Sequence, residues 1–220
     1  MKLEVCAHSI ESALNAQNGG ADRIELCVEL SVGGLTPSHG MIKMAKELLE
    51  IPVYVLIRPR AGDFNYNLIE SEIMKENILF CAEQRIDGVV IGALTEKNNI
   101  NEQMTQELLK TAGYMDVTFH RAFDETSNQF EALDTLKELG IQRILTSGGP
   151  GNAVDNQEQL QALIDDAAED IIIMPGGGVR PENVKMIMDL GCQEIHSSCI
   201  TQTSIHSDLE VIRQMKEIIH

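Results

Sequence analysis

The stretch Val117-Thr118-Phe119-His120-Arg121-Ala122-Phe123-Asp124 decides the fold. It begins as a short β-rich run and ends in an imidazole, a guanidinium and a carboxylate. Glu125, Thr126 and Ser127 follow, and then a helix with Phe130, Leu133, Leu136 and Leu139 along one stripe. A strand that runs out into charged residues just before a helix is where α/β proteins place their sites. Taken alone, the same residues also read as a polar loop with a local ion pair. The rest of the chain decides between the two, because the unit recurs.

Short apolar and β-branched runs are expected as strands at Leu3–Cys6, Arg23–Cys27, Val53–Arg58, Gly88–Ile91, Val117–His120, Arg143–Ser147, Ile171–Met174 and Glu194–His196. Helical periodicity places helices near 9–18, 38–50, 69–85, 101–112, 127–139, 156–168, 181–190 and 208–219. Val184, Ile187 and Met188 share a stripe, as do Leu209, Ile212, the stem of Lys216, and Ile219. Helices are expected to stop at Gly19-Gly20, Gly140 and Gly191 as left-handed caps, and Pro181 to open its helix. No linker or composition break interrupts the series. Eight β-α units over residues 1–220 predict a single-domain (β/α)8 TIM barrel. An open doubly wound sheet is the alternative, but the first strand ends in Cys6-Ala7-His8-Ser9, with no glycine loop for a phosphate.

The 34 acidic residues against 17 basic ones give a net charge of -17, a field that repels nucleic acid and anionic membranes. No apolar run approaches a membrane span. The N-terminus enters a strand pattern directly, so no targeting segment is expected. The five cysteines are odd in number and scattered, which fits a reducing, cytoplasmic setting.

In a barrel the site lies at the C-terminal strand ends. Side chains two apart share a face, so Glu4 and Cys6, Glu25 and Cys27, Arg58 and Arg60, Thr118 and His120, and Glu194 and His196 are grouped there. Inward charges need partners, and mutual neutralisation of Glu4, Glu25 and Arg58 is one reading. The functional reading is a pocket for a small anionic metabolite bearing phosphate or carboxylate. In it His120 is general acid/base, Glu25 or Asp124 orients it or shares its proton, and Arg58, Arg60, Arg121 and His196 complete the polar lining. Pro175-Gly176-Gly177-Gly178-Val179 would bring backbone N–H groups to an anion, aided by the helix start at Pro181. A metal site is the rival reading. Cys6 and Cys27 end neighbouring strands, whose spacing of about 4.8 Å lets two thiols reach one ion. Soft thiolates suit Cu(I) or Zn(II), with His8 as a possible third ligand. Buried cysteines also simply pack.

At these residues the chain resembles the CutC-type copper homeostasis proteins. The matching segments run in order: Glu4-Val5-Cys6-Ala7 with Ser9, 19–27, 33–38, Ile57-Arg58-Pro59-Arg60-Ala61-Gly62-Asp63-Phe64, 117–124, 145–149, 175–179 and 194–198. Ala61 stands where many relatives have glycine, and the region after Ser198 is shorter than in many of them. The resemblance implies a cytoplasmic, homo-oligomeric (β/α)8 barrel. It also implies a link to copper, with Cu(I) held by cysteine in some members.

Overall fold

The structure is a computed structural model that describes residues 1–202 and 204–220. Every expected strand forms, within one or two residues of its expected bounds: β1 Lys2–Ala7, β2 Arg23–Leu26, β3 Val53–Leu56, β4 Gly88–Ile91, β5 Asp116–Phe119, β6 Arg143–Thr146, β7 Ile172–Pro175 and β8 Glu194–Ser197. The helices α1 Ile10–Asn18, α2 His39–Leu48, α3 Leu68–Glu83, α4 Glu102–Ala112, α5 Gln129–Leu139, α6 Gln157–Ala167, α7 Val184–Met188 and α8 Leu209–Ile219 alternate with them. Each strand from β1 to β7 pairs in parallel with the next, and β8 pairs with β1. β7 and β8 lie side by side at the seam, and among the described residues no ladder joins them. The result is a nearly closed (β/α)8 barrel, as the sequence predicts.

Local chemistry sets the helix ends. Ser9, Ser38, Asn101 and Asp208 each accept a backbone N–H of the first turn of α1, α2, α4 and α8. Asn67 and Glu70 close a capping box on α3. Leu133 and Leu136 of α5 are fully buried, whereas Phe130, expected on the same stripe, is 39% exposed. Gly140 is left-handed, as its cap requires, and in the Gly19-Gly20 pair it is Gly20, with φ of 89°, that takes this conformation, not Gly19. A Cβ on Gly19 would stand 2.5 Å from Ile212, so this glycine lets α8 approach α1. The expected start of α7 also moves. Pro181 lies in a turn and the helix begins at Val184, because Asn183 accepts the Arg180 N–H through Oδ1 and donates to the Gly178 carbonyl.

The lower barrel interior is polar. Arg23 donates to Glu4 and, at 2.6 Å, to Glu194, which also accepts from Arg143 at 2.7 Å. Both guanidiniums stack on the Tyr54 ring, and Tyr54 donates to Asp116. Glu4 is therefore neutralised by Arg23 from below and by His196, not by Arg58 as the strand-end inventory suggests. The reason is parity: Arg23 lies two residues before Glu25, on the same inward face of β2.

Candidate functional site

Above this layer a cavity of about 560 Å³ opens at the C-terminal ends of the strands. Cys6, Glu25 and His196 lie at its floor, on the adjacent strands β1, β2 and β8. Register brings them together. Cys6 pairs laterally with Glu25, and Glu4, two residues earlier, pairs with His196. One ligand atom from each of the three lies within 4.8 Å of the others. The Cys6 thiol donates to Glu25 Oε1 at 3.7 Å, and Cys27 Sγ is 3.5 Å from Cys6 Sγ. The two thiols thus meet as the sequence suggests. Cys27 is wholly buried and outside the cavity wall. His8 is not in this cluster; its ring stacks on His206 with centroids 6.0 Å apart. His196 takes the place considered for it.

The electrostatics of the cluster follow from burial. Burial pushes the Glu25 carboxyl up to about 7; the Glu4 charge adds to this and His196 opposes it. Burial would also raise Glu4, but Arg23 and His196 outweigh it and hold this carboxyl at about 2. Burial works against a charged His196, yet hydrogen bonds with Cys6 and Glu4 and the nearby carboxylates raise it well above the usual imidazole range. The hydrogen bond with Cys27, then burial, holds Cys6 well above an ordinary thiol. Glu4 Oε1 lies 2.7 Å from His196 Nδ1, which leaves Nε2 for another partner. A carboxylate orienting an imidazole in this way is the usual support of a metal-ligating histidine. Sulfur, nitrogen and oxygen donors converging on one point suit a thiophilic transition ion, so the residues present fit copper or zinc.

The upper wall has a different chemistry. The Ala122 N–H donates to His120 Nδ1 at 3.1 Å, so the proton resides on Nε2. Burial, then the Arg58 charge, holds this imidazole down at about 3. In this arrangement His120 is a neutral imidazole whose Nε2–H is the donor. Asp124 does not serve it. Its carboxylate accepts from Arg121 at 2.7 Å, from Thr146, and from the N–H and hydroxyl of Ser147, and so ties the β5 loop to the end of β6.

Arg58 donates through Nη1 to the Val32 and Gly34 carbonyls and through Nη2 to Gly62, and it stacks on Phe64. Arg60 is turned away from the cavity and holds Asp63 and Asn65 of its own loop and Glu70 of α3. Arg121 lines the cavity beside Ser147. Gly177 and Gly178 line it with φ of 96° and 71°, conformations that favour glycine, while Gly176 continues the ladder by donating to Thr146. Because α7 starts only at Val184, the triglycine does not lead directly into a helix and gains no helix-end field.

Two residues escape the strand-end reading. Arg180 lines the cavity and donates to Ser197 and Ser198. Its signal, a basic residue two positions past the triglycine, is present in the sequence. Gly92 has the His120 ring where its Cβ would be, with His120 Cε1 2.3 Å from that point. Its position directly after β4 is visible in the sequence, but the approach of the ring is not.

Residues 1–201 match the family model described as the CutC family. The human protein called copper homeostasis protein cutC homolog is 45% identical over 197 residues, covering 89% of this chain and 72% of that one. A family protein CutC of Photorhabdus laumondii is 47% identical over 197 residues, covering 90% of this chain and 79% of the relative. A crystal structure of a CutC protein from Streptococcus agalactiae superposes with a TM-score of 0.87 at 38% identity, covering 91% of this chain and 100% of that one. A thiamine phosphate pyrophosphorylase from Pyrococcus furiosus, at 13% identity and a TM-score of 0.69, shares the fold alone.

Proposed function

The chain belongs to the CutC family, and on that premise we propose that it is a cytosolic copper homeostasis protein that binds Cu(I) at the cavity floor. The observation that carries this reading is the convergence of Cys6, Glu25 and His196 within 4.8 Å, with the Cys27 sulfur 3.5 Å from that of Cys6. Cys6 and Cys27 supply the soft donors that Cu(I) favours. His196 presents Nε2 while Glu4 holds Nδ1. Thiolates and neutral imidazole are the ligating forms, so uptake displaces protons. Glu25 sits beside the Cys6 thiol with its own carboxyl near 7, placed to accept that proton and pass it to the solvent-facing cavity.

An anaerobic Cu(I) titration of the reduced protein against a strong competing chelator tests this, with Cys6→Ser, Cys27→Ser and His196→Ala in parallel. The expected result is a defined stoichiometry for the parent, lost in Cys6→Ser and weakened by Cys27→Ser and His196→Ala. Equal competition by the parent and all three variants would mean that the cysteines only pack, and the copper reading would be withdrawn.

A further inference from the structure

The upper wall of the cavity holds two buried donors that form no hydrogen bond among the described residues. These are Arg58 Nε and His120 Nε2, and the buried Tyr66 hydroxyl, which interacts with Arg58, is likewise unpaired among the described residues. Their residues are 6% and 5% exposed, and both line the cavity. Neither group is idle through disorder. The other nitrogens of Arg58 are fixed on three backbone carbonyls. The His120 ring is fixed by the Ala122 N–H and by Phe64, whose ring centroid is 4.9 Å away. A buried donor left unpaired costs about 1–3 kcal/mol, so two on one wall call for an acceptor.

The charge around them points the same way. The chain carries twice as many acidic as basic residues, 34 against 17. Among the described residues, neither Arg58 nor Arg180 has a carboxylate partner within salt-bridge distance. The acidic groups of the same cavity are otherwise placed. Asp124 is taken up by Arg121, Thr146 and Ser147. Glu25 belongs to the floor cluster with Cys6 and His196, and Glu125 is exposed.

We propose that the cavity binds the oxyanion group of a small metabolite, a carboxylate or a phosphate, received by Arg58 Nε and His120 Nε2 with Arg180 supplying charge from the wall. The donors come from the ends of β3, β5 and β7, whereas the metal cluster comes from β1, β2 and β8. One cavity thus carries two chemically distinct halves. His120 is suited to this role because its imidazole is neutral and its proton is fixed on Nε2. It donates without gaining or losing charge, as a hydrogen bond to an oxyanion or to the carbonyl beside it requires. The site takes anions of either source chemistry, and the cavity of about 560 Å³ admits a body well beyond a bare ion.

Calorimetric titration of the full chain with inorganic phosphate, and separately with propionate, tests the proposal and separates the two sources. The variants are His120→Phe and Arg180→Gln, with Lys110→Gln on the exposed face of α4 as a charge-matched control. Saturable one-site binding of at least one probe is expected. His120→Phe and Arg180→Gln should each weaken it about tenfold or more, a tenfold loss being about 1.4 kcal/mol. Lys110→Gln should leave it unchanged. If only phosphate or only propionate binds in this pattern, that probe identifies the group. The proposal is overturned if neither probe saturates, or if Lys110→Gln weakens binding as much as Arg180→Gln. If His120→Phe fails to fold, Arg180→Gln decides, since its side chain is only partly buried. The Cu(I) titration turns on Cys6, Cys27 and His196 and this one on His120 and Arg180, so failure here is distinguishable from failure of the copper reading.

Discussion

His120 shows how position alone turns an imidazole from a proton carrier into a fixed donor. An ordinary histidine titrates near neutrality, but burial and the Arg58 charge bring this one down to about 3. Its folded value is therefore below its unfolded value. Between about pH 6.5 and 3 the unfolded chain binds a proton that the folded chain refuses, so stability from this group is present above that window and lost as pH falls through it. Glu4, held at about 2, loses stability in the same direction under acid, so the parent alone cannot isolate the histidine. The difference from His120→Phe can. Urea unfolding from pH 7 to pH 4 should show the parent losing stability more steeply than the variant, by roughly 2–3 kcal/mol across the range. Parallel slopes would mean that His120 is protonated in the fold, and the donor role assigned to it would fall. The residue type was legible in the sequence, but its protonation was not. That depends on the Ala122 N–H, which only the turn after β5 brings to Nδ1.

Among the elements, β4 does the least visible work. Its inward positions and the one after it are Gly88, Val90 and Gly92, the thinnest wall in the barrel. Each glycine makes room for a ring from another strand. A Cβ on Gly88 would stand 2.7 Å from Tyr54, and one on Gly92 would stand 2.3 Å from His120. We expect Gly92→Ala to displace the imidazole, at a cost of about 1–3 kcal/mol in stability. Oxyanion affinity should fall roughly as far as in His120→Phe, while Cu(I) competition stays unchanged. Paired urea and calorimetric titrations check this; unaltered oxyanion binding would show that the ring is not held by that contact. Strands and most helices could be read from period and punctuation, because a buried strand and an amphipathic helix each impose a pattern on consecutive residues. The exceptions have local physical causes. α7 starts late because Asn183 holds the backbone of Gly178 and Arg180 in a turn ahead of it. Arg58 turned from neutralising Glu4 to clamping loops because three carbonyls lay within reach of its fork. Cys6 and Cys27 could be paired from parity, but the joining of His196 to them depended on β8 closing against β1, which is a contact between chain ends.

At the scale of the whole molecule, the two halves of the cavity sit in one field. A chain of this length has a radius of gyration of about 17 Å, and its net charge of -17 surrounds a site that we expect to take both a cation and an anion. At about 0.01 M ionic strength the Debye length is about 30 Å, so most of that charge is felt in the cavity; at about 0.15 M it is about 8 Å, and only the lining counts. The field raises the local concentration of cations and lowers that of anions. Adding sodium chloride should therefore act in opposite directions on the two ligands. The Cu(I) affinity, measured against a chelator calibrated at each ionic strength, should weaken by a few-fold up to about tenfold, while that for inorganic phosphate should strengthen or hold against chloride competition. Had local pairs alone set both affinities, screening would weaken both together. Opposite salt dependences in one protein would thus show that the acidic surface acts on the site as a whole, favouring entry of the metal and leaving Arg58, Arg180 and His120 to hold the oxyanion against it.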